Sequence, residues 1–269
     1  MKILIFWDVY WRIWRAALKK ELPLLRKKYN PDFVIVNIEN ASSWRWPIEK
    51  HVVEIEKLWV DVMTTWDHIF DNMIKVKDYL DKIDSKLIRC ANFIEYWEYN
   101  IAWKWYKIVE KNWKKLLVIH VMWEVFMNYK VSNPFLRVKE ILKETELENL
   151  NWIIIDFHKE TTAEWYWLWF FLDWSISFVF WTHTHIQTND ELILPKWTWI
   201  LSDVWMSWPL YSVIWADYTS VEKRFLTWIG KWKIEQCLDK HYVVNWVCVE
   251  IWEDMKCESI EKIRIRGVL

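Results

Sequence analysis

The chain has 269 residues, a net charge of −1 and an isoelectric point near 6.7. It is long enough for one full core or two small ones, and too neutral for a general polyanion binder. No apolar run approaches the roughly 18 residues of a membrane span, and residues 1–6 are too few, with Asp8 following too soon, for a signal peptide.

Residues 2–6 read as a buried strand with Asp8 at its end. Over residues 13–29, Ile13, Ala17, Leu18, Leu22 and Leu25 fall near helical spacing with basic residues between them. Residues 33–36 form a second buried strand running into Asn37-Ile38-Glu39-Asn40. A loop over 41–46 leads to a helix around 48–58, and a third strand, 60–64, ends at Trp66-Asp67-His68. A helix around 73–83 and a loop with Asn92 precede two β-like runs, 106–110 and 116–122, turned at Asn112-Trp113. Asn133-Pro134 opens a helix over roughly 136–143, and the strand 152–157 delivers His158. Residues 161–172 are helical, and the strand 175–180 runs into Trp181-Thr182-His183-Thr184-His185. Three further strands are expected at 192–194, 198–202 and 242–251, the last broken into a hairpin at Asn245-Trp246. With no low-complexity linker or composition break, one α/β domain over 1–269 is expected. Cys90, Cys237, Cys248 and Cys257 form no CxxC pair. They read as reduced, buried or idle thiols in a cytoplasmic protein.

The chain carries 27 Trp and only 2 Gly, where average usage near 7% would give on the order of 19 glycines. The tryptophans stand where glycine makes physical sense. Asn112-Trp113 separates two strands as an Asn-Gly hairpin turn would, and Asp173-Trp174 and Asn245-Trp246 repeat the dipeptide pattern. Trp7, Trp11 and Trp14 crowd one strand-to-helix turn, where backbone must approach a ligand closely. We read most of these positions as glycine in the organism, with UGA codons for Gly translated on paper as Trp. Setting the tryptophans aside lowers the apolar fraction from 54% to about 44%, ordinary for a globular enzyme.

Asp8, Glu39, Asn40, Asp67, His68, His158, His183 and His185 all fall at expected strand ends, where open α/β sheets place their ligand sites. In an extended segment residues i and i+2 point the same way, so His183 and His185 can face one site. Carboxylates, an amide neighbour and several imidazoles suit two transition-metal ions with mixed nitrogen and oxygen ligands. Such a pair can bind a phosphate, activate a water and stabilise both entering and leaving oxygens. No cysteine takes part, which excludes a zinc finger. Neither a phosphate-binding GxxxxGK[ST] loop nor a Gly-x-Ser-x-Gly elbow is present even with Trp read as Gly. His51, His120 and His241 read as structural histidines, and the basic run from Lys19 to Lys28 as a solvated helix face.

With Trp read as Gly, the chain resembles calcineurin-like metallophosphoesterases, and more closely their bacterial YmdB-like branch. The resemblance rests on Ile5-Phe6-Trp7-Asp8-Val9-Tyr10-Trp11-Arg12, Val36-Asn37-Ile38-Glu39-Asn40-Ala41 and Trp66-Asp67-His68 in the first half. In the second half it rests on Asp156-Phe157-His158, Trp181-Thr182-His183-Thr184-His185-Ile186-Gln187-Thr188 and Ser202-Asp203-Val204-Trp205-Met206. It implies a sandwich of two β-sheets flanked by helices, with a dinuclear metal centre at the strand ends. By that resemblance Asp8 and His185 would hold one ion with Asn40 beside it, Asp67, His158 and His183 the other, and Glu39 would bridge them. A bridging water or hydroxide would attack phosphorus, and His68 would stabilise the transition state or protonate the leaving alkoxide. Asp203 would support the site from its loop.

Members of that branch hydrolyse 2′,3′-cyclic nucleotides and use iron or manganese, with zinc also compatible with the ligand types. Some are linked to RNA metabolism, and some form homo-oligomers. One residue departs from the pattern: Asp67 stands where the family has Asn. A carboxylate there adds negative charge beside an anionic substrate and removes an N–H donor. The alternative expectation is therefore a metal-binding regulatory or RNA-associated protein with little turnover.

Overall fold

The computed structural model describes residues 1–6, 9, 11–42, 47–66, 69, 74–94, 105–127, 130–145, 150–182, 184–204, 207–227, 233–252 and 256–269. The strands of the first half are β1 (Lys2–Phe6), β2 (Phe33–Asn37), β3 (Val62–Thr64), β4 (Leu87–Ile88), β5 (Tyr106–Lys111) and β6 (Lys114–Met122). Those of the second half are β7 (Trp152–His158), β8 (Phe178–Thr182), β9 (Leu192–Ile193), β10 (Trp199–Leu201), β11 (Trp208–Pro209), β12 (His241–Ile251) and β13 (Cys257–Val268). The helices are α1 (Trp11–Tyr29), α2 (Glu49–Glu56), α3 (Lys77–Leu80), α4 (Pro134–Glu144), α5 (Ala163–Leu172) and α6 (Tyr218–Thr227). None of the described helices is long and apolar enough to cross a membrane.

The strands form two mixed sheets. One runs β11-β12-β1-β2-β3-β4 with β13 paired to β12, the other β5-β6-β7-β8-β10-β9. Within the first, β1, β2, β3 and β4 are parallel; within the second, β6, β7 and β8 are parallel and β10 continues them. The sequence dictates the layering through its period of two. Ile3, Ile5, Phe33, Ile35 and Val62 of the first sheet pack against Leu116, Val118, Trp152, Ile154, Phe178 and Phe180 of the second. The alternate residues Leu4, Phe6, Val34, Val36 and Met63 face outward and are covered by Trp14, Leu18 and Leu22 of α1 and Val52 and Ile55 of α2. Leu117, Ile119, Ile153, Ile155 and Val179 are covered likewise by α4 and α5. The result is the expected helix-flanked double sheet, in which both faces of each central strand are buried and near-continuous apolar runs are required.

Local chemistry explains the boundaries. Asn133 caps α4, its Oδ1 accepting from the N–H groups of Phe135 (3.0 Å) and Leu136 (3.2 Å), and Pro134 needs no partner at the first turn. Asn112 and Trp113 connect β5 to β6 with φ of 48° and 61°, the two left-handed residues of a type I′ hairpin.

Several sequence expectations are corrected. Asn245-Trp246 is no hairpin: β12 runs unbroken through it, pairing Phe6 with Trp246 and Asn245 with Arg264. Pairing on both sides overrides the local turn signal there. Asp173-Trp174 instead ends α5, with Trp174 at φ 85°. The helix expected over 73–83 is a single turn, α3. The strand expected at 175–180 starts later, at Phe178, and β4, β11, β13 and α6 were not anticipated.

Among the described residues five tryptophans occupy the left-handed region: Trp11 (58°), Trp59 (63°), Trp113 (61°), Trp174 (85°) and Trp197 (81°). A Cβ there costs roughly 1–2 kcal/mol. Buried tryptophans pose a second problem: the indole N–H groups of Trp14, Trp169, Trp181 and Trp246 have no acceptor among the described residues, and each such orphan is costly. Both features are relieved by glycine. Trp113 is 67% exposed, so little packing is lost with its ring. Trp113→Gly should therefore stabilise the protein by roughly 1–2 kcal/mol in denaturant unfolding, and Trp113→Ala, which keeps a Cβ, by much less. A glycine variant no more stable than the parent would contradict this.

Candidate metal centre

The inward-facing positions change character toward the carboxyl ends of the parallel strands. After Ile35, Val62, Val118, Ile154 and Phe180 the next inward residues are Asn37, Thr64, His120, Asp156 and Thr182, every one fully buried. This polar layer lies directly beneath the strand-end loops that carry the expected ligands.

In the first sheet those loops are stitched together. The Val9 N–H donates to the Asn37 carbonyl (3.1 Å), Trp11 N–H to the Asn40 carbonyl (2.9 Å) and Ile38 N–H to the Thr64 carbonyl (3.0 Å). Glu39 is completely buried; its Oε2 accepts from the Trp66 backbone N–H at 2.5 Å, and its own N–H donates to Asn37 Oδ1 at 3.0 Å. Asn40 is nearly as buried. In the second sheet His158 ends β7, and its Nδ1 lies 3.1 Å from the Thr182 hydroxyl. That contact orients the ring.

The two sheets meet at Trp66. Its N–H holds Glu39, and its indole stacks on the His158 imidazole, centroids 4.4 Å apart and planes 20° apart. Glu39 and His158, more than a hundred residues apart in sequence, are thus brought to the same end of the sandwich, as the sequence pattern predicts.

His185 lies beyond β8 with φ 66°. The segment is therefore not extended there, and the alternation argument that paired it with His183 does not apply. What holds its loop is Asp203, fully buried: Oδ2 accepts from Thr184 N–H (2.9 Å) and from the Thr184 hydroxyl (2.6 Å), and the Asp203 carbonyl accepts from Thr188 N–H (3.0 Å). Gln187 Nε2 donates to the Trp246 carbonyl (3.2 Å), tying the loop to the first sheet. Asp8, Asp67, His68 and His183 lie outside the described residues. Among those that are described, no group of three His, Cys, Asp or Glu side chains is gathered closely enough to hold a metal ion.

The donor set fits a metal pair by its chemistry. Glu39 supplies a carboxylate, Asn40 an amide oxygen, His158 and His185 imidazoles, and the sequence adds two carboxylates and an imidazole at Asp8, Asp67 and His183. Oxygen and nitrogen donors in that mixture match manganese, iron or zinc rather than a thiolate-bound ion. A cation is already close by. Lys159, completely buried, donates from Nζ to the Thr161 carbonyl and lies 3.2 Å from the Trp181 ring centroid. Burial pushes its pKa down to about 7, against the opposing pull of Glu164, Asp203 and Asp190.

The sequence reading missed Asp156 and Cys90 and took His120 as merely structural. His120 Nε2 lies 2.9 Å from Cys90 Sγ, and its Nδ1 lies 3.1 Å from the Asp156 carbonyl oxygen and 2.9 Å from Asp156 Oδ2. The Nδ1 contact to the carbonyl is an aligned hydrogen bond, whereas neither Asp156 carboxylate oxygen receives one. Burial holds the Asp156 carboxyl above the usual carboxylate range, opposed by His120 and the Thr64 hydroxyl. A polar residue interrupting an otherwise apolar buried strand was the available clue at both His120 and Asp156.

The model of the YmdB-like protein family matches residues 4–263. The 2′,3′-cyclic-nucleotide 2′-phosphodiesterase of Bacillus subtilis (strain 168) is 34% identical over 227 residues, covering 84% of this chain and 83% of that one. The crystal structure of a novel phosphatase from Mycoplasma pneumoniae superposes with a TM-score of 0.88 at 27% identity, covering 100% of this chain and 94% of that one. A hypothetical protein from Thermus thermophilus superposes with a TM-score of 0.87 at 25% identity, covering 99% of each chain.

Asp203→Ala should release the Thr184–Thr188 loop and weaken metal binding by roughly 10- to 100-fold, the usual penalty for losing a group that orients a ligand. Calorimetric titration with manganese measures it. Binding at the parental affinity would show that Asp203 does not position the site.

Proposed function

This chain belongs to the YmdB-like protein family, and from that premise we propose that it is a dinuclear-metal phosphodiesterase acting on small phosphodiesters, foremost 2′,3′-cyclic nucleotides. The observation that carries the reading is the meeting of Glu39 and His158, from different sheets, on the two sides of Trp66. In this reading one domain spans residues 1–269. Asp8, Glu39, Asn40, Asp67, His158, His183 and His185 would hold two iron or manganese ions, with zinc an acceptable replacement. When bound, such a pair orients a phosphate, activates water and stabilises charge on the entering and leaving oxygens. The chain's own contributions follow from its residues. Glu39, fixed by its contacts to the Trp66 N–H and Asn37 Oδ1, would help hold the ions, and the Thr182 contact holds the His158 ring. His68 is the protein group available to pass a proton to the leaving alkoxide. Cytoplasmic residence agrees with four buried cysteines that form no disulfide.

Two features favour a second reading, a metal-holding regulatory or RNA-associated protein of low turnover. Asp67 places a carboxylate where an anionic substrate would bind, and the Trp66 ring covers one face of His158. The second feature disappears under the inference that the tryptophans at left-handed and site positions are glycine in the organism. The gene decides that point: UGA at Trp11, Trp59, Trp66, Trp113, Trp174 and Trp197 is expected, and UGG at these codons would end it.

Elemental analysis and turnover of 2′,3′-cyclic AMP separate the two functions. The phosphodiesterase reading expects two manganese or iron ions per chain, hydrolysis lost to a chelator, and about a tenfold gain for Asp67→Asn. That gain corresponds to roughly 1.4 kcal/mol of relieved repulsion at the phosphate. Bound metal with no turnover in either protein favours the regulatory reading.

A further inference from the structure

A buried polar layer just below the proposed metal centre joins the two sheets through Cys90 and His120. It begins at Glu39, whose N–H donates to Asn37 Oδ1 (3.0 Å), and Asn37 Nδ2 donates to Thr64 Oγ1 (3.2 Å). The opposite sheet presents a second buried polar group at the same level. Asp156 lies beside His120 on the neighbouring strand, in register with it. His120 then returns to the first sheet through Cys90 Sγ at 2.9 Å, just past β4. The backbone repeats the crossing one residue on, the Ala91 N–H donating to the His120 carbonyl at 2.7 Å. Asn37, Thr64, Cys90, His120 and Asp156 are each fully buried.

His120 Nδ1 faces two oxygens of Asp156, so it carries the proton, and Nε2 faces the Cys90 thiol, whose Sγ also lies 3.9 Å from the Thr65 carbonyl. A buried thiol of this kind meets no substrate, so its use is geometric. The polar groups are expensive to bury unless they meet one another. The two sheets therefore hold one spacing at this level, where an apolar layer would tolerate sliding. Two residues further along the same segments stand Glu39, Trp66 and His158.

We propose that the buried polar layer of Asn37, Thr64, Asp156, His120 and Cys90, joined across the sheets by the Cys90–His120 contact, is the positioning element that fixes the separation of the two sheet-borne halves of the metal centre. The proposal rests on the dinuclear reading above. Its residues touch no substrate; they act through Glu39 at one end and through the β7 backbone leading to His158 at the other.

Manganese titration by calorimetry, thermal unfolding and steady-state hydrolysis of 2′,3′-cyclic AMP on the full chain test it together. Thr64→Val and Cys90→Ala, close in volume to the parent residues but without the hydrogen-bonding atom, should weaken the second manganese about tenfold relative to the first. They should also lower kcat with little change in KM. Thr64→Ser and Cys90→Ser, which keep or supply a hydroxyl, should recover both properties. If Thr64→Val does not fold, Cys90→Ala, at the far end of the layer, carries the same prediction. A parent protein that binds no manganese overturns the reading of the site and the positioning role with it. A parent that binds two ions while Thr64→Val and Cys90→Ala match it in both affinities, or lose both ions together in step with melting temperature, overturns the positioning role alone.

Discussion

Parallel pairing in both sheets, with the inner faces pressed together, is the constraint from which the site follows. Strands β1, β2 and β3 on one side and β6, β7 and β8 on the other deliver their carboxyl ends to one end of the sandwich, as the Trp66–His158 contact demonstrates. Along these strands the inward side chains are apolar until the last turn of the pleat. There they become Asn37, Thr64, His120, Asp156 and Thr182. Apolar burial below supplies the general stabilisation that holds two sheets together. The polar layer above it supplies specificity, because unsatisfied buried polar groups penalise any other register.

Loops emerging from such an edge are then held at both ends. Glu39 sits in a loop bonded to its neighbours by backbone N–H groups from Val9, Trp11 and Trp66. The loop carrying His185 is bonded to Asp203 in its own sheet and to Trp246 in the other. His185 keeps a left-handed φ of 66° under these bonds. Strain of that kind persists where surroundings over-determine the backbone, which is common where side chains must meet a ligand.

Much of this arrangement was legible in the residue order, and the exceptions have physical causes. Strands buried on both faces read clearly because they are continuous apolar runs: β2 and β7 were placed within a residue. β13 was not seen because Glu258, Glu261, Lys262, Arg264 and Arg266 line a strand with one solvated face. α6 buries only Val221, so its apolar stripe was too thin to notice. Asn245-Trp246 looked like a turn because a local signal was read without the partners that pair on both sides of β12. In the site, Glu39 and His158 were legible because each directly follows a buried run. The His120–Asp156–Cys90 contacts join residues 30 to 36 positions apart, and no spacing rule connects those.

The tryptophans bear on every level at once. At Trp113 a left-handed turn residue joins two strands, at Trp174 another ends a helix, and at Trp66 an indole lies on a proposed ligand. The left-handed backbone at Trp113 and Trp174 is a conformation that glycine adopts at no steric cost.

Anomalous diffraction from crystals of the manganese-loaded protein tests the central claim most directly. The account predicts two peaks roughly 3.5–4 Å apart, bridged by the Glu39 carboxylate, with His158 on one of them. A single peak elsewhere in the molecule, or no peak between Glu39 and His158 in fully loaded crystals, would contradict it.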